Sequence, residues 1–382
     1  MVEPDAFLDS LHNQGIQFFT GVPDSLLKNM CACLSFRLPP MQHIIASNEG
    51  CALALAMGHY LATAQPALVY MQNSGLGNIV NPVTSLADPE VYAIPMLLLI
   101  GWRGEMLDSE TQVPDEPQHR KQGKVTLHQL ETLDIPYRIL SGDTSDLDSL
   151  LKGLMDEAHA RSGPVALVVR KNSFARYQAQ ALTQNPLWPT REQAIELVLL
   201  STNSDAVVVS TTGKASREVF EMRKASQSGH HRDFLTVGGM GYASQIAAGI
   251  AIARPDKQVV CIDGDGAALM HLGGCATSAD CANLLHVLIN NEAHESVGGQ
   301  PTKGNVLNYS QLAEDMGYRH CSRVDNLATL QETLNQLMAS EGSRFVEVRC
   351  RVGSRAELGR PDRSPRENKS DFMQFLGASN DR

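Results

Sequence analysis

Gln258-Val259-Val260-Cys261-Ile262-Asp263-Gly264-Asp265-Gly266-Ala267-Ala268-Leu269-Met270 joins a short β-branched run to an aspartate flanked by glycines. A second apolar run, Leu284-Leu285-His286-Val287-Leu288-Ile289, closes at Asn290-Asn291-Glu292-Ala293. Both runs read as buried parallel strands, with one helix expected between them. In such a βαβ unit both strands end on the same carboxyl edge, which places Asp265 and Asn291 at one crevice. Their hard oxygen atoms suit Mg²⁺, an octahedral ion usually held by one or two carboxylates, amide or backbone oxygens, water and substrate phosphate. The glycines beside Asp265 let the backbone approach a phosphate closely. A bare Gly-Asp-Gly is also an ordinary strand-to-helix turn; the paired asparagines after the second strand favour the ion site.

The chain of 382 residues is long enough for two domains with full cores, and 43% apolar with 19% charged residues is ordinary for a globular protein. A formal net charge of −10 argues against nucleic acid as a partner, so an anionic substrate needs locally clustered basic groups. No apolar run reaches the length of about 18 residues that a membrane span requires. The start Met1-Val2-Glu3-Pro4-Asp5 lacks the basic-then-apolar order of a signal peptide, so a cytoplasmic protein without membrane contact is expected. The eight cysteines contain no Cys-x-x-Cys pair, and neither zinc nor disulfides are implied.

Residues 1–172 alternate strands and helices and read as a doubly wound α/β domain. The strand Ile16–Thr20 turns at Gly21-Val22-Pro23-Asp24-Ser25, where Ser25 is either the N-cap of a helix starting near Leu26 or a polar group at the site. Glu49 opens a helix rich in alanine and leucine that runs to about Thr63; a glutamate there complements the helix dipole, whatever else it does. Gln72-Asn73-Ser74-Gly75-Leu76-Gly77-Asn78 follows another strand as a polar, glycine-rich turn able to bring donors to a ligand. After Gly101-Trp102-Arg103-Gly104, residues 105–124 read as a long polar loop at a sheet edge. Arg103, His119 and Lys121 there form either a solvated surface or an anion site.

Residues 173–189, with Pro186 and Pro189, read as a linker, and Thr190-Arg191-Glu192-Gln193 as the capping box that opens a second α/β domain, 190–352. Its first strand ends in Thr211-Thr212-Gly213-Lys214, a hydroxyl and glycine turn. A later one leads to Gly238-Gly239-Met240-Gly241. Met240 is core filling on the bland reading. His294 opens a polar segment, 294–302, expected to be a mobile loop at the site; Arg344–Arg349 is the closing strand, and 353–382 a charged tail. Phe372, Met373, Phe375 and Leu376 give that tail an apolar end able to dock.

Gly264-Asp265-Gly266 through Asn290-Asn291 resembles the signature of thiamine diphosphate enzymes. The resemblance implies two doubly wound parallel-sheet domains, one for the cofactor's pyrimidine ring (1–172) and one for its diphosphate and Mg²⁺ (190–352). It implies Asp265, Asn291 and the Ala293 carbonyl as metal ligands. Cofactor contacts are implied at Gln72, Asn73, Thr212, Gly213, Gly239, Gly264, Gly266 and Ala267. Glu49 is implied as the carboxylate that bonds the pyrimidine and favours its imino form, and Met240 as the wedge that bends the cofactor. Ser25, Arg103, His119, Lys121 and His294 join Glu49 as catalytic or substrate-facing candidates. There is no room for the middle domain of pyruvate-type decarboxylases. Gly101-Trp102-Arg103-Gly104-Glu105, Asp115-Glu116-Pro117-Gln118-His119, Gly123-Lys124, Leu76-Gly77-Asn78 and Val297-Gly298-Gly299-Gln300-Pro301-Thr302 make the chain similar, nearly end to end, to the phosphonopyruvate decarboxylase family. Glu292, where a smaller residue is expected, departs from that pattern. The resemblance implies decarboxylation of a small anionic 2-oxo acid by a homo-oligomer whose active sites lie between subunits. The sulfopyruvate decarboxylases are the nearest alternative.

Overall fold

A computed structural model describes residues 1–178 and 184–378, so part of the expected linker and the last four residues of the expected tail lie outside the described residues. The chain divides into two compact units, Met1–Ala181 with Val297–Gln300, and Leu182–Ser296 with Pro301–Arg382.

The first unit carries six strands: β1 (Phe19–Gly21), β2 (His43–Ile45), β3 (Leu68–Gln72), β4 (Leu97–Gly101), β5 (Tyr137–Leu140) and β6 (Val165–Val169). They form one all-parallel sheet in the order β2-β1-β3-β4-β6-β5. Its central strands are buried on both faces, as parallel strands flanked by helices must be. Leu68, Tyr70, Leu97 and Leu99 enter one apolar cluster, while Val69, Met71, Leu98 and Ile100 enter the other. The stretch expected as a polar loop is a loop only in its first half. Pro117 sits in the first turn of a helix, Pro117–Thr132, and the indole of Trp102 fastens that helix to the end of β4 by donating to the Gly123 carbonyl at 2.9 Å. Proline there gives up no helical hydrogen bond.

The second unit repeats the pattern with β7 (Val207–Ser210), β8 (Asp233–Leu235), β9 (Val259–Gly264), β10 (Leu284–Asn290), β11 (His320–Val324) and β12 (Arg344–Arg349). Its sheet is also all parallel, in the order β8-β7-β9-β10-β12-β11. The Thr190 capping box forms as expected and opens the helix Arg191–Ser201. Between β9 and β10 the chain makes two short helices, Asp265–Met270 and Gly274–Ser278, where one was expected. The expected tail is structured too. Ser364 caps a helix, Pro365–Phe375, whose Phe372 is buried in one apolar cluster with Ala247 and Ala251 of the helix Ala243–Ala253 and lies 5.7 Å from the Phe234 ring, centroid to centroid. The Asn368 side chain on that helix donates to the Asp233 carbonyl at 2.7 Å and accepts from the Leu235 amide at 3.1 Å, along the outer edge of β8. No helix among the described residues is long and apolar enough to cross a membrane.

Candidate functional site

In the second unit β9 ends at Gly264 and Asp265 begins the next helix, so its carboxylate lies at the carboxyl edge of the sheet, almost fully buried. The Thr302 hydroxyl donates to Oδ2 and the Tyr309 hydroxyl donates to the Asp265 carbonyl at 3.1 Å, which fixes the residue at both ends. Burial pushes the carboxyl up to about 7, and no basic side chain among the described residues pairs with it. A carboxylate in that position gains most from a cation beside it.

One strand over, β10 delivers Asn290 and Asn291 to the same edge. Asn290 is wholly internal: its amide donates to the Gly304 carbonyl and to Glu347 Oε1, both at 2.8 Å. Gly304 tolerates no side chain, because a Cβ there would stand 2.2 Å from Asn290 Oδ1 and 2.6 Å from Asp265 Oδ2. Asn291 is buried but aimed differently, with Nδ2 donating to Glu295 Oε2 at 3.0 Å and Oδ1 accepting from the Ala293 amide at 3.2 Å. The turn expected to be disturbed by Glu292 is accommodated: Glu292 takes a left-handed φ of 60° and pairs with Arg349 at the end of β12, whose guanidinium lies 4.1 Å over the Trp188 ring. The segment expected to be mobile folds back on the site. Ala293 pairs with Pro301, and the Thr302 amide donates to the Glu292 carbonyl at 2.9 Å. His294 lies against Gly266, and burial pushes its imidazole down to about 4, so the ring is neutral.

Two further turns share this edge. Thr211-Thr212-Gly213 follows β7, with Gly213 at φ 96° just before a helix, and Lys214 Nζ reaches Glu295 Oε1 at 2.6 Å. Gly238–Gly241 follows β8. Met240 is only half-buried and enters none of the described core clusters, which removes the core-filling reading.

In the first unit Glu49 is the first residue of its helix, held there by the Asn48 cap, whose side chain accepts from the Cys51 amide at 2.9 Å. Its carboxylate is buried and Oε2 accepts from the Asn78 amide at 2.7 Å. Gly75 makes room for it, since a Cβ at that position would come within 2.6 Å of the carboxylate. The turn after β3 therefore supplies both the space and the donor. Asn73 has a structural task there: its amide hydrogens go to the Arg103 carbonyl and Thr126 Oγ1, both at 2.9 Å, leaving none for a ligand. Gln72 bonds Ser74 Oγ at 2.7 Å.

Ser25 is not an N-cap. Asp24 turns the chain by accepting from the Leu26 amide at 2.9 Å, the helix starts at Lys28, and Ser25 Oγ instead accepts from Arg103 Nη1 at 3.0 Å. Arg103 also grips Asp115 with two bonds, at 2.9 and 2.6 Å. Burial alone would raise the Asp115 carboxyl, but the Arg103 fork and the amides of Glu116 and Gly104 hold it well below the usual carboxylate range. His119 is buried on the following helix, and burial, with Arg103 nearby, lowers its pKa. Ser25, Arg103 and Asp115 thus meet, with His119 beside them, whereas Lys121 points to solvent. Asp24, fully buried, is the residue of this corner that sequence reasoning passed over; its place directly before Ser25 in a Pro-Asp-Ser turn was the available signal.

Family models match both units: the thiamine pyrophosphate enzyme N-terminal TPP binding domain over residues 4–130 and the C-terminal TPP binding domain over 211–348. A phosphonopyruvate decarboxylase of Streptomyces hygroscopicus is 34% identical, the match covering 98% of this chain and 94% of that protein. One of Streptomyces viridochromogenes is 32% identical, covering 95% and 92%. The sulfopyruvate decarboxylase subunit beta of Methanothermobacter thermautotrophicus is 33% identical over 43% of this chain and 83% of that subunit.

Proposed function

We propose that this chain, which belongs to the thiamine pyrophosphate-dependent decarboxylases, converts 3-phosphonopyruvate to phosphonoacetaldehyde and CO₂ with the help of Mg²⁺, as a cytoplasmic step in phosphonate biosynthesis. The observation that carries the choice of substrate is the nearly end-to-end match of this single chain to two phosphonopyruvate decarboxylases, whereas the sulfopyruvate decarboxylases match it in pieces, as separate alpha and beta subunits that each cover less than half of it.

The residues fit the group they would hold. Asp265, Asn291 and the Ala293 carbonyl are a hard oxygen set for Mg²⁺, and the buried Asp265 carboxyl has the raised pKa of a group short of a positive neighbour. Thr212 and Gly213 would cradle the diphosphate with Gly264, Gly266 and Ala267, Gly239 would give the neighbouring turn its close approach, and Met240 would wedge between the rings. Bound thiamine diphosphate supplies the carbon nucleophile and the electron sink that loss of CO₂ requires. Glu49 would hydrogen-bond the pyrimidine and govern its proton. Its anchorage on Asn78 and its niche over Gly75 support that role, because a buried carboxylate held on a helix terminus needs no reorganisation to accept a proton. Ser25 and Arg103 would face the substrate's anionic end, with Asp115 fixing the plane of the guanidinium, and neutral His119 in the first unit and neutral His294 in the second are each candidates for proton work. Gln72 contributes to cofactor binding, and Asn73 does so only by holding the ends of β3 and β4.

Purified protein supplied with thiamine diphosphate, with and without Mg²⁺, and then phosphonopyruvate, sulfopyruvate or pyruvate tests this directly through CO₂ release. Magnesium-dependent turnover preferring phosphonopyruvate is expected. A preference for sulfopyruvate would reassign the substrate. We also read the enzyme as a homo-oligomer in which two chains complete each site. Mixing inactive Glu49→Gln and Asp265→Ala proteins under subunit exchange should then restore activity; exchange without recovery would contradict it.

A further inference from the structure

Resting on the cofactor reading above, we infer that Glu295 is a positioning residue that orients the Asn291 carboxamide toward the metal. An asparagine amide can present either its oxygen or its nitrogen to an ion, and only the oxygen is a ligand. Something must make that choice at Asn291. Glu295 does so by taking the nitrogen: Asn291 Nδ2 donates to Glu295 Oε2 at 3.0 Å, so Oδ1 is turned the opposite way.

Glu295 is itself immobilised from every side. Oε2 also accepts from Arg191 Nη1 at 2.5 Å, while Oε1 accepts from Lys214 Nζ at 2.6 Å and from the Gly353 amide at 3.1 Å. Four donors match the lone-pair capacity of one carboxylate. Arg191 is in turn clamped by Glu218, with two bonds of 2.7 Å, and both of those side chains are buried. With four donors directed at its two oxygens the Glu295 side chain acts as an acceptor throughout, so it holds the amide in one orientation only. The same carboxylate connects the turn after β7, through Lys214, to the turn after β10, through Asn291. Both sides of the proposed diphosphate and metal site are therefore registered on a single group.

The arrangement makes a counterintuitive prediction for Asn291→Asp. A second acidic oxygen ligand would ordinarily favour a divalent cation. Facing Glu295, however, the new carboxylate has no hydrogen to donate and meets a like charge. Asn291→Asp should weaken magnesium-dependent thiamine diphosphate binding, read by calorimetry and by the ligand-induced shift in melting temperature, by at least about tenfold. Glu295→Gln in the same chain offers a donor back, and Asn291→Asp/Glu295→Gln should bind within about threefold of Glu295→Gln alone. Melting of the ligand-free proteins separates these effects from loss of fold. If Asn291→Asp does not fold alone, rescue of folding and binding in the double variant supports the inference, and a double variant equally defective overturns it. Wild-type affinity in Asn291→Asp, or the same loss with either residue at 295, would also overturn it. A wild-type protein that binds no thiamine diphosphate in the presence of magnesium would instead sink the cofactor reading on which the inference rests.

Discussion

The two sheets share one strand order but carry opposite chemistry at their carboxyl edges. Counted from its own first strand, each runs second-first-third-fourth-sixth-fifth, all parallel. The turn after the third strand holds Asn73 in the first unit and Asp265 in the second; the turn after the fourth holds Arg103 in the first and Asn291 in the second. In the first unit these positions carry a neutral and a cationic group bonded to Thr126, Ser25 and Asp115, and the carboxylate, Glu49, stands separately after the second strand, held by Asn78. In the second they present oxygen atoms directly. One scaffold thus serves two tasks because the fold fixes where the turns emerge and leaves their residues free.

The sharpest way to break this contrast is to remove one carboxylate from each edge. Asp265→Ala, or Asn291→Leu, should abolish magnesium-dependent cofactor binding in calorimetry, since each would delete a proposed ligand of an ion with strict geometry. Glu49→Gln should keep that binding but lower decarboxylation by roughly 10²- to 10⁴-fold, the usual contribution of a positioned proton-transfer group. If both edges lose binding alike, the proposed division of labour is wrong.

A smaller effect would sharpen the first unit's side of it. Arg103→Ala should cost about 1.5 to 3 kcal/mol, or about 10- to 150-fold in kcat/KM for phosphonopyruvate, with cofactor affinity unchanged. The exposed Lys121, and Arg360, an exposed arginine of the charged tail, should matter less, with Lys121→Ala and Arg360→Ala within about threefold of wild type. Equal losses from all three would move the anion pocket away from the end of β4.

The weakest perturbations probe stability, where only the second unit should respond. Phe372→Ala should lower its unfolding free energy by about 3 kcal/mol, as removal of a buried aromatic does. Ser364→Ala should cost about 1 kcal/mol through the lost helix cap. Denaturant titrations followed at Trp188 would register both; an unchanged midpoint in Phe372→Ala would mean that the helix does not pack as described.

Much of this was legible in the sequence because the informative signals are local. The β-branched runs of β7, β9 and β10, the Thr190 capping box and the Asp265 and Asn291 turns all announce themselves within a few residues. What stayed hidden is long-range. The Arg191 to Glu295 bond joins residues 104 apart in sequence. β11 reads His-Cys-Ser-Arg-Val because an edge strand has one side in solvent and needs no apolar run. The helix after Pro117 was masked by its charge, its burial resting on few positions such as Gly123, Thr126 and Leu130. The common strand order left no repeat in the sequence, since parallel sheets accept any apolar residue of suitable shape.

The side chain of Asn368 has a bearing on how the protein stays dispersed while it is being made. By bonding the Asp233 carbonyl and the Leu235 amide at once, it stands in for the backbone of a neighbouring strand and blunts a sheet margin that could otherwise recruit a strand from another molecule. Yet Asn368 lies 135 residues beyond Asp233. During translation the margin of β8 is uncovered until that later helix emerges, an interval in which nascent chains can pair through it. A chain cut before Ser364 would remain in that state permanently.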